Sequence, residues 1–235
     1  MKIVVCLDSW PALRDFAGDE RSELGLAASV AELAGVDSVR LGIQEDLSPV
    51  RESDVVALRA AARSFELRMP LSPTLVKLAL SARPDRVVLV GDRHAGAGPM
   101  PPVDARVAGA TLAALLRTLA EARIRASVRV APELEAVRAA HAQGVADVEL
   151  FTGWLVDLPD AERRAALVAL GDAARLASKL RMGIAVAGGL DDRNLREVID
   201  AAPAAERIVL GRGVARRALL VGLDRAVRDH RDRMR

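Results

Sequence analysis

Eight short apolar runs, each followed by a stretch of helical periodicity, dominate the sequence. Each run closes on a polar or glycine-rich corner, and the intervening stretches carry apolar residues three or four positions apart. Strands that alternate with helices in this way are typical of a closed parallel sheet, so we predict a (β/α)8 fold, the TIM barrel. The predicted strands span residues 3–8, 38–44, 65–71, 85–92, 126–132, 147–153, 183–189 and 207–213.

The length of the chain fits one such barrel. Its 235 residues are close to the roughly 250 of a typical member, so we expect a single domain over residues 1–235. Hydrophobic residues make up 51% and charged residues 28% of the chain, a composition that suits a large core and excludes a disordered chain. Aromatic residues are only 2%, so we expect an interior filled by Val, Ile and Leu.

Charge and hydropathy exclude two classes of partner. The formal net charge is +2, which does not indicate a nucleic-acid-binding protein. The basic stretch 225–235 interleaves Asp with Arg, so we interpret it as a solvated helix end rather than a polyanion-binding arm. No apolar run reaches 18 residues and the chain starts directly on a strand, so we expect a cytoplasmic protein without membrane contact.

The cysteine and histidine content gives no support to metal chemistry. Cys6 is the one cysteine, and near the end of the first strand it is better explained as a small buried filler than as a reactive thiol. The sequence has no CxxC, HExxH or clustered Cys/His pattern, so we expect neither a metal site nor a cofactor.

The carboxyl ends of the strands are where a TIM barrel carries its chemistry. Two connections at this end are long: residues 9–21 carry Arg14, which could reach over the barrel mouth, and the Gly/Pro-rich residues 93–107 predict a mobile lid that carries His94. The corner residues are Asp8, Gln44, Arg68, Asp92, Arg129, Glu149, Gly188 with Gly189, and Gly211 with Arg212.

Glycine corners on the last two strands predict a phosphate site. The sequences are AGGLDD (187–192) and LGRG (210–213). Bare glycine backbones let N–H groups approach phosphate oxygens, and the following helix N-terminus adds its positive dipole. The alternative is that these glycines only form tight turns. The candidate phosphate ligands are Gly188, Gly189, Gly211, Arg212 and Gly213.

Five segments, in order along the chain, resemble the motifs of one family. They are CLDSWPALRDFA (6–17), GIQEDLSPVRESDVVALR (42–59), VELFTGWLVD (148–157), VAGGLDDRNL (186–195) and IVLGRGVARRALLVGLDRAV (208–227). The family is pyridoxine 5'-phosphate synthase, a barrel enzyme that condenses 1-deoxyxylulose 5-phosphate with aminoacetone phosphate. The resemblance implies a phosphorylated small molecule or inorganic phosphate as ligand, and a homo-oligomer.

The chain departs from these motifs at the positions of proton transfer. A general acid or base must hold and release a proton near neutral pH, which glycine cannot do and arginine does not do. Glu149 is the one acid retained at a family active-site position, and its alternative role is to accept structural hydrogen bonds from the backbone. The family's histidines, its strand-two arginine and its strand-three glutamate are replaced by Ser9, Gly42, Gln44, Arg68, Gly188 and Arg212.

Arg68 places a fixed cation where the family has a base. With three further arginines it could line a positive pocket for an acidic ligand, such as a sugar phosphate or a dicarboxylate. The alternative is an internal pair with Glu149 or Asp8 across the mouth. The three further arginines are Arg14, Arg129 and Arg212.

Two function classes remain open. The first is an enzyme that acts on a phosphorylated small molecule, either in vitamin B6 biosynthesis or in a related condensation. The second is a catalytically silent barrel that binds a phosphorylated ligand or a protein partner. The number of lost proton-transfer positions favours the second class for the ancestral reaction. The candidate catalytic residues are Glu149, Asp8 and Arg68, and the candidate substrate-binding residues are Arg14, Gln44 and His94.

Overall fold

The computed structural model describes residues 1–18, 23–92, 100–155 and 158–234. Eight parallel strands pair in chain order, and β1 pairs with β8 to close the sheet. The predicted TIM barrel is confirmed, whereas the assignment of all 235 residues to one domain stays a prediction. The strands are β1 Lys2–Cys6, β2 Ser38–Gly42, β3 Phe65–Pro70, β4 Arg86–Val90, β5 Arg125–Val130, β6 Asp147–Phe151, β7 Gly183–Ala187 and β8 Arg207–Leu210.

Helices cover the outside of this sheet. Two features differ from the predicted pattern. Helix α1 lies in the long connection over residues 9–21. The helical stretch after the last strand, residues 213–230, is divided at Gly222, whose φ of 80° is left-handed. The helices in the described residues are α1 Ser9–Ala17, α2 Leu24–Leu33, α3 Glu52–Ala61, α4 Pro73–Ala82, α5 Gly109–Glu121, α6 Leu134–Ala142, α7 Asp160–Lys179, α8 Leu195–Ala201, α9 Arg212–Val221 and α10 Leu223–Arg233. None of these helices combines the length and the apolarity needed to cross a membrane.

The main apolar core lies between the sheet and the helices. In β1, Ile3 and Val5 belong to this core, while Val4 belongs to a small separate cluster with Ala187 and Val209. Because side chains alternate along a strand, Val4 and its two partners point into the barrel.

The barrel interior carries charges, so the prediction of an interior filled by Val, Ile and Leu is wrong. Arg40 is fully buried on β2. Its guanidinium donates to Glu66 Oε2 at 2.6 and 3.0 Å and to Glu149 Oε2 at 2.5 Å. The sequence signal was a pair of charges at alternate positions of two predicted strands, Glu66 with Arg68 and Asp147 with Glu149.

A second group of ion pairs lies nearer the amino ends of the strands. Arg207 Nη1 donates to Glu66 Oε1 at 2.9 Å, and Arg86 Nη1 lies 3.0 Å from Asp147 Oδ1. Buried charges recover their desolvation cost only when they are paired and hydrogen-bonded. The connected pairs therefore hold strands from opposite sides of the barrel together.

Candidate active site at the barrel mouth

Asp8 and Arg68 form an ion pair at the mouth, which is the end of the barrel where the strands reach their carboxyl ends. Asp8 Oδ1 accepts the Gly42 backbone N–H at 2.7 Å, and Oδ2 accepts a hydrogen bond from Arg68 Nη2. The side chains are 33% and 13% exposed, respectively. Of the two interpretations of Arg68, the internal pair with Asp8 is the one that forms.

Gly42 leaves the space that the Arg68 side chain fills. A Cβ atom added to Gly42 would lie 2.5 Å from Arg68 Nη2 and 3.0 Å from its Cζ, too close for either to stay in place. The family motif has histidine at position 42 and glutamate at position 68. The two replacements therefore fit each other, because the first provides the volume that the second occupies.

Glu149 lies deeper in the barrel, and both its oxygens are engaged. Arg129 Nε and Nη2 donate to Oε1 at 2.9 and 2.7 Å, while Arg40 Nη1 donates to Oε2. Burial by itself raises the pKa of Glu149, but the two arginines more than reverse this effect and lower the pKa to about 2. The alternative role, in which the backbone donates to Glu149, is wrong, because arginine side chains hold this carboxylate as a fixed anion.

Arg129 connects Glu149 to the segment that follows β4. Its Nη1 donates to the carbonyl oxygen of Met100 at 2.7 Å, and its own carbonyl accepts the Val103 N–H at 2.8 Å. Burial lowers the pKa of Arg129 and the Glu149 charge only partly offsets this, yet a guanidinium stays protonated at any physiological pH. Arg129 therefore serves the interior network and does not line an open pocket.

Arg14 does not extend over the mouth, which corrects the expectation for this residue. Its Nη1 donates to both oxygens of Asp54 at 2.8 Å, and Nη2 donates to the Pro49 carbonyl at 2.9 Å. Asp54 also accepts the Arg51 N–H at 2.9 Å at the start of α3. These contacts hold the loop between β2 and α3 against α1.

The other two predicted substrate-binding residues are Gln44 and His94. Gln44 Nε2 donates to the Ser48 carbonyl at 3.2 Å, so the side chain braces its own loop. His94 and residues 93–99 of the predicted lid lie outside the described residues. The later part of that segment packs on the barrel, where the Gly91 N–H donates to the Pro101 carbonyl at 2.9 Å.

The glycine corner after β7 has a geometry that requires glycine. Gly188 and Gly189 have φ values of 115° and 64°, both in the left-handed region. A Cβ on Gly188 would lie 2.7 Å from the Gly153 nitrogen. Thr152 Oγ1 donates to the Gly188 carbonyl at 2.7 Å. The tight-turn explanation therefore accounts for Gly188, whose added side chain would have no room.

The corner after β8 packs directly against the corner after β7. A Cβ on Gly213 would lie 2.5 Å from the Leu190 carbonyl oxygen. Gly211 is the N-cap of α9, and Arg212, the first residue of that helix, is exposed. The first N–H groups of a helix lack intrahelical partners and attract anions. The two corners together form one surface on which a phosphate could bind.

Cys6 is buried next to the Gly211 corner. The side chain is 7% exposed, and burial, assisted by the Asp8 charge, raises its pKa to about 12. The prediction of a buried filler is confirmed. No group of three or more His, Cys, Asp or Glu residues in the described ranges could hold a metal ion.

Arg40 and Glu66, which connect the mouth to the lower ion pairs, were not predicted from the sequence. Both stand at inward positions in strands that are buried on both faces, where an unpaired charge would be unstable. Two such charges on adjacent strands, of opposite sign, were the signal that could have identified them. Nothing in the sequence indicated that Arg129 would donate to the backbone carbonyl of Met100.

Fold and site together define a class: TIM-barrel proteins with a polar, charge-paired mouth and a double glycine corner on the last two strands. The family model described as "Pyridoxal phosphate biosynthesis protein PdxJ" matches residues 3–235. The chain belongs to this family.

Named relatives match over almost their whole length. The pyridoxine 5'-phosphate synthase of Geobacter metallireducens is 32% identical over 230 residues, which cover 97% of this chain and 96% of that protein. The synthase of Geotalea uraniireducens is 30% identical over the same shares.

Solved structures support the fold alone. The 3-hexulose-6-phosphate synthase of Salmonella typhimurium superimposes with a TM-score of 0.62 at 17% identity, covering 100% of this chain and 98% of that one. The tryptophan synthase of Mycobacterium tuberculosis gives a TM-score of 0.65 at 14% identity, with coverages of 100% and 92%.

Proposed function

We propose that this chain is a PdxJ-family barrel that binds a phosphorylated small molecule and does not carry out the family's condensation. The main support for the proposal is the ion pair between Arg68 and Asp8, in which the Arg68 side chain fills the space next to Gly42. A permanent cation and its counter-ion occupy the space where the family motif has a histidine and a glutamate. An arginine at this position binds and orients charge, but it does not gain and lose a proton near neutral pH.

The remaining acid of the family motif supports the same conclusion. General acid–base catalysis is efficient when the pKa of the group lies near the working pH. Glu149 has a pKa of about 2 and three hydrogen bonds from two arginines. Its role in this proposal is to fix Arg40 and Arg129 as positive charges beneath the ligand.

The phosphate of the ligand is proposed to bind at the two glycine corners. Gly189 and Gly211 supply close backbone approach, α9 supplies the positive end of a helix dipole, and Arg212 supplies an exposed guanidinium. Inorganic phosphate should bind the same place weakly. No nucleic acid or membrane contact enters the proposal.

Ligand binding can be tested through thermal stability. Inorganic phosphate, 1-deoxyxylulose 5-phosphate and pyridoxine 5'-phosphate would be titrated against the wild type, with sulfate-free buffer as reference. A ligand at a hundredfold excess over its dissociation constant stabilises by about 2.7 kcal/mol. The Arg212→Gln variant should weaken each effect, whereas the control Arg217→Gln, five residues along the same helix, should not. A wild type that responds to no phosphorylated compound would contradict the proposal.

A second candidate is an active enzyme of vitamin B6 biosynthesis, or of a related condensation or lyase reaction on a sugar phosphate. It is favoured by the full-length similarity to pyridoxine 5'-phosphate synthases. In that case Asp8 and Glu149 would have to change partners when substrate binds. Turnover of the two phosphorylated substrates of the family, measured directly, separates the two candidates.

We also propose a cytoplasmic homo-oligomer. Large apolar side chains are exposed near the end of α9, where Leu219 and Leu220 are 70% and 77% exposed. Exposed apolar patches of this kind often mark subunit contacts. Light scattering of the wild type and of a Leu219→Lys, Leu220→Lys variant tests the assembly, and a monomeric wild type would exclude it.

A further inference from the structure

The inward-facing charges of the barrel do not balance within the described residues. Five arginines face four carboxylates. The lower pairs use Glu66 and Asp147, and the upper pairs use Asp8 and Glu149. The five arginines are Arg40, Arg68, Arg86, Arg129 and Arg207. Asp8 pairs with Arg68 alone, so the surplus positive charge lies in the network beneath this pair, where the other four arginines share three carboxylates.

Of these arginines, Arg68 lies at the mouth and can accept a further hydrogen-bond partner. Arg40 and Arg129 together take up both oxygens of Glu149, whereas Asp8 divides its carboxylate between Arg68 and the Gly42 N–H. Arg68 Nε is buried and has no hydrogen-bond partner among the described residues. Unsatisfied buried donors are costly, so an added acceptor at this guanidinium would be stabilising.

A carboxylate is the acceptor that suits this guanidinium. The planar fork of arginine matches two carboxylate oxygens, and Asp8 already shows that a carboxylate fits against Arg68. The Arg68 guanidinium fills the space over Gly42, and 13% of its side chain is exposed at the mouth. An incoming carboxylate can therefore share Arg68 with Asp8, or replace it.

Arg68 and the glycine corner of β8 lie within reach of one small molecule. A Cβ on Gly211 would lie 3.3 Å from Cys6 Cβ, so this corner borders β1. The Arg68 guanidinium lies over Gly42 of β2, the next strand. Two strand spacings amount to roughly 10 Å, and a hydrogen-bonded contact at each end takes about 3 Å. The remaining span suits a short carbon chain with a charge at either end.

We propose that Arg68 binds the carboxylate of a small phosphorylated acid whose phosphate occupies the glycine corner at Gly189 and Gly211. The inference rests on the proposed function and narrows its ligand class from phosphate esters in general to phosphorylated carboxylic acids. Arg68 is in this view the residue that determines specificity, because it distinguishes a carboxylate from a neutral hydroxyl at the far end of the ligand.

Three matched compounds test the inference by isothermal titration of the full chain. 3-Phosphoglycerate carries both groups, glycerol 3-phosphate lacks the carboxylate, and glycerate lacks the phosphate. We expect 3-phosphoglycerate to bind at least tenfold more tightly than glycerol 3-phosphate, and glycerate to bind weakest. Arg68→Met should remove the preference for 3-phosphoglycerate while glycerol 3-phosphate binds as before. Arg212→Gln should weaken both phosphate esters by the same factor.

The outcomes separate this inference from the proposed function. If both esters bind the wild type with equal affinity, the carboxylate site is wrong and the phosphate site stands. If Arg68→Met binds glycerol 3-phosphate more tightly than the wild type does, Arg68 blocks the mouth and the inference is overturned. If neither ester binds, the proposed function itself fails. Arg68→Lys, which keeps the charge but loses the fork, should retain part of the preference and guards against misfolding of the methionine variant.

Discussion

Arg40 on β2 donates a 2.5 Å hydrogen bond to Glu149 on β6, directly across the barrel interior. The two residues are 109 positions apart in the chain, and both side chains are fully buried. Arg40 also bonds Glu66, so one guanidinium joins three strands. Burial alone would lower the pKa of Arg40, but the Glu149 and Glu66 charges reverse the effect and raise it.

Removal of Arg40 should destabilise the barrel strongly. Arg40→Met leaves Glu149 and Glu66 each with an unpaired oxygen in the interior, and loss of one partner of a buried ion pair typically costs 3–5 kcal/mol. Urea unfolding followed by circular dichroism measures the change. The exposed pair Arg196–Asp200 gives the control: Arg196→Met should leave the free energy of unfolding almost unchanged. Equal stability of Arg40→Met and the wild type would show that the interior repacks without these charges.

The strand positions and the closed barrel could be predicted because apolar runs and helical periodicity are local properties of the sequence. The charged interior could not, because ion pairs such as Arg40–Glu149 join residues that only the closed barrel brings together. The same limit applies to the mouth: the corner position of Asp8 and Arg68 followed from strand ends, but the space over Gly42 that lets them pair is a property of packing. Arg14 was misplaced because its partner Asp54 lies in a different βα unit.

The Glu149 carboxylate should make the barrel sensitive to acid. Its pKa is lowered from an ordinary value of 4.5 to about 2 in the folded protein, so below pH 4.5 the unfolded chain binds the proton first. The stabilisation is complete above pH 4.5 and is lost as the pH falls towards 2. Free energies of unfolding measured at pH 7, 4.5 and 3 should therefore decline for the wild type.

The share of Glu149 in this decline is isolated by Glu149→Gln. The variant should be less stable than the wild type at pH 7, and the difference between them should shrink as the pH falls, since the wild type alone loses the Glu149 charge. Asp224→Asn, at an exposed pair on α10, is the matched control and should follow the wild-type curve. A difference between wild type and Glu149→Gln that stays constant from pH 7 to 3 would contradict the lowered pKa.

Gly42 and Arg68 should be energetically coupled. Gly42→Ala brings a methyl group to 2.5 Å from Arg68 Nη2 and forces the guanidinium off Asp8. An Arg68→Ala background removes the three atoms nearest to that methyl group, so its cost should fall. We expect a coupling energy of about 1–2 kcal/mol in a double-mutant cycle of unfolding free energies. Additive effects, with no coupling, would mean that Arg68 moves aside freely and that the pair is not fixed by the space over Gly42.

The chain should fail to replace a true pyridoxine 5'-phosphate synthase. Loss of one general acid or base alone typically lowers the rate 10²–10⁴-fold. Here the family's acid–base residues are replaced at four positions, by Ser9, Gly42, Arg68 and Gly188. The losses need not add, because residues of one catalytic unit fail together. The test is growth of a bacterium that lacks its own synthase, without added vitamin B6, beside an in vitro assay with both phosphorylated substrates.

Arg68→Glu should not restore growth, because the histidines at positions 42 and 188 would still be missing and the new carboxylate would face Asp8. A curated relative of the family expressed in the same strain is the positive control. Growth at the rate of that control, or turnover within tenfold of it, would show that other residues have taken over the proton transfers and that the barrel is an active enzyme.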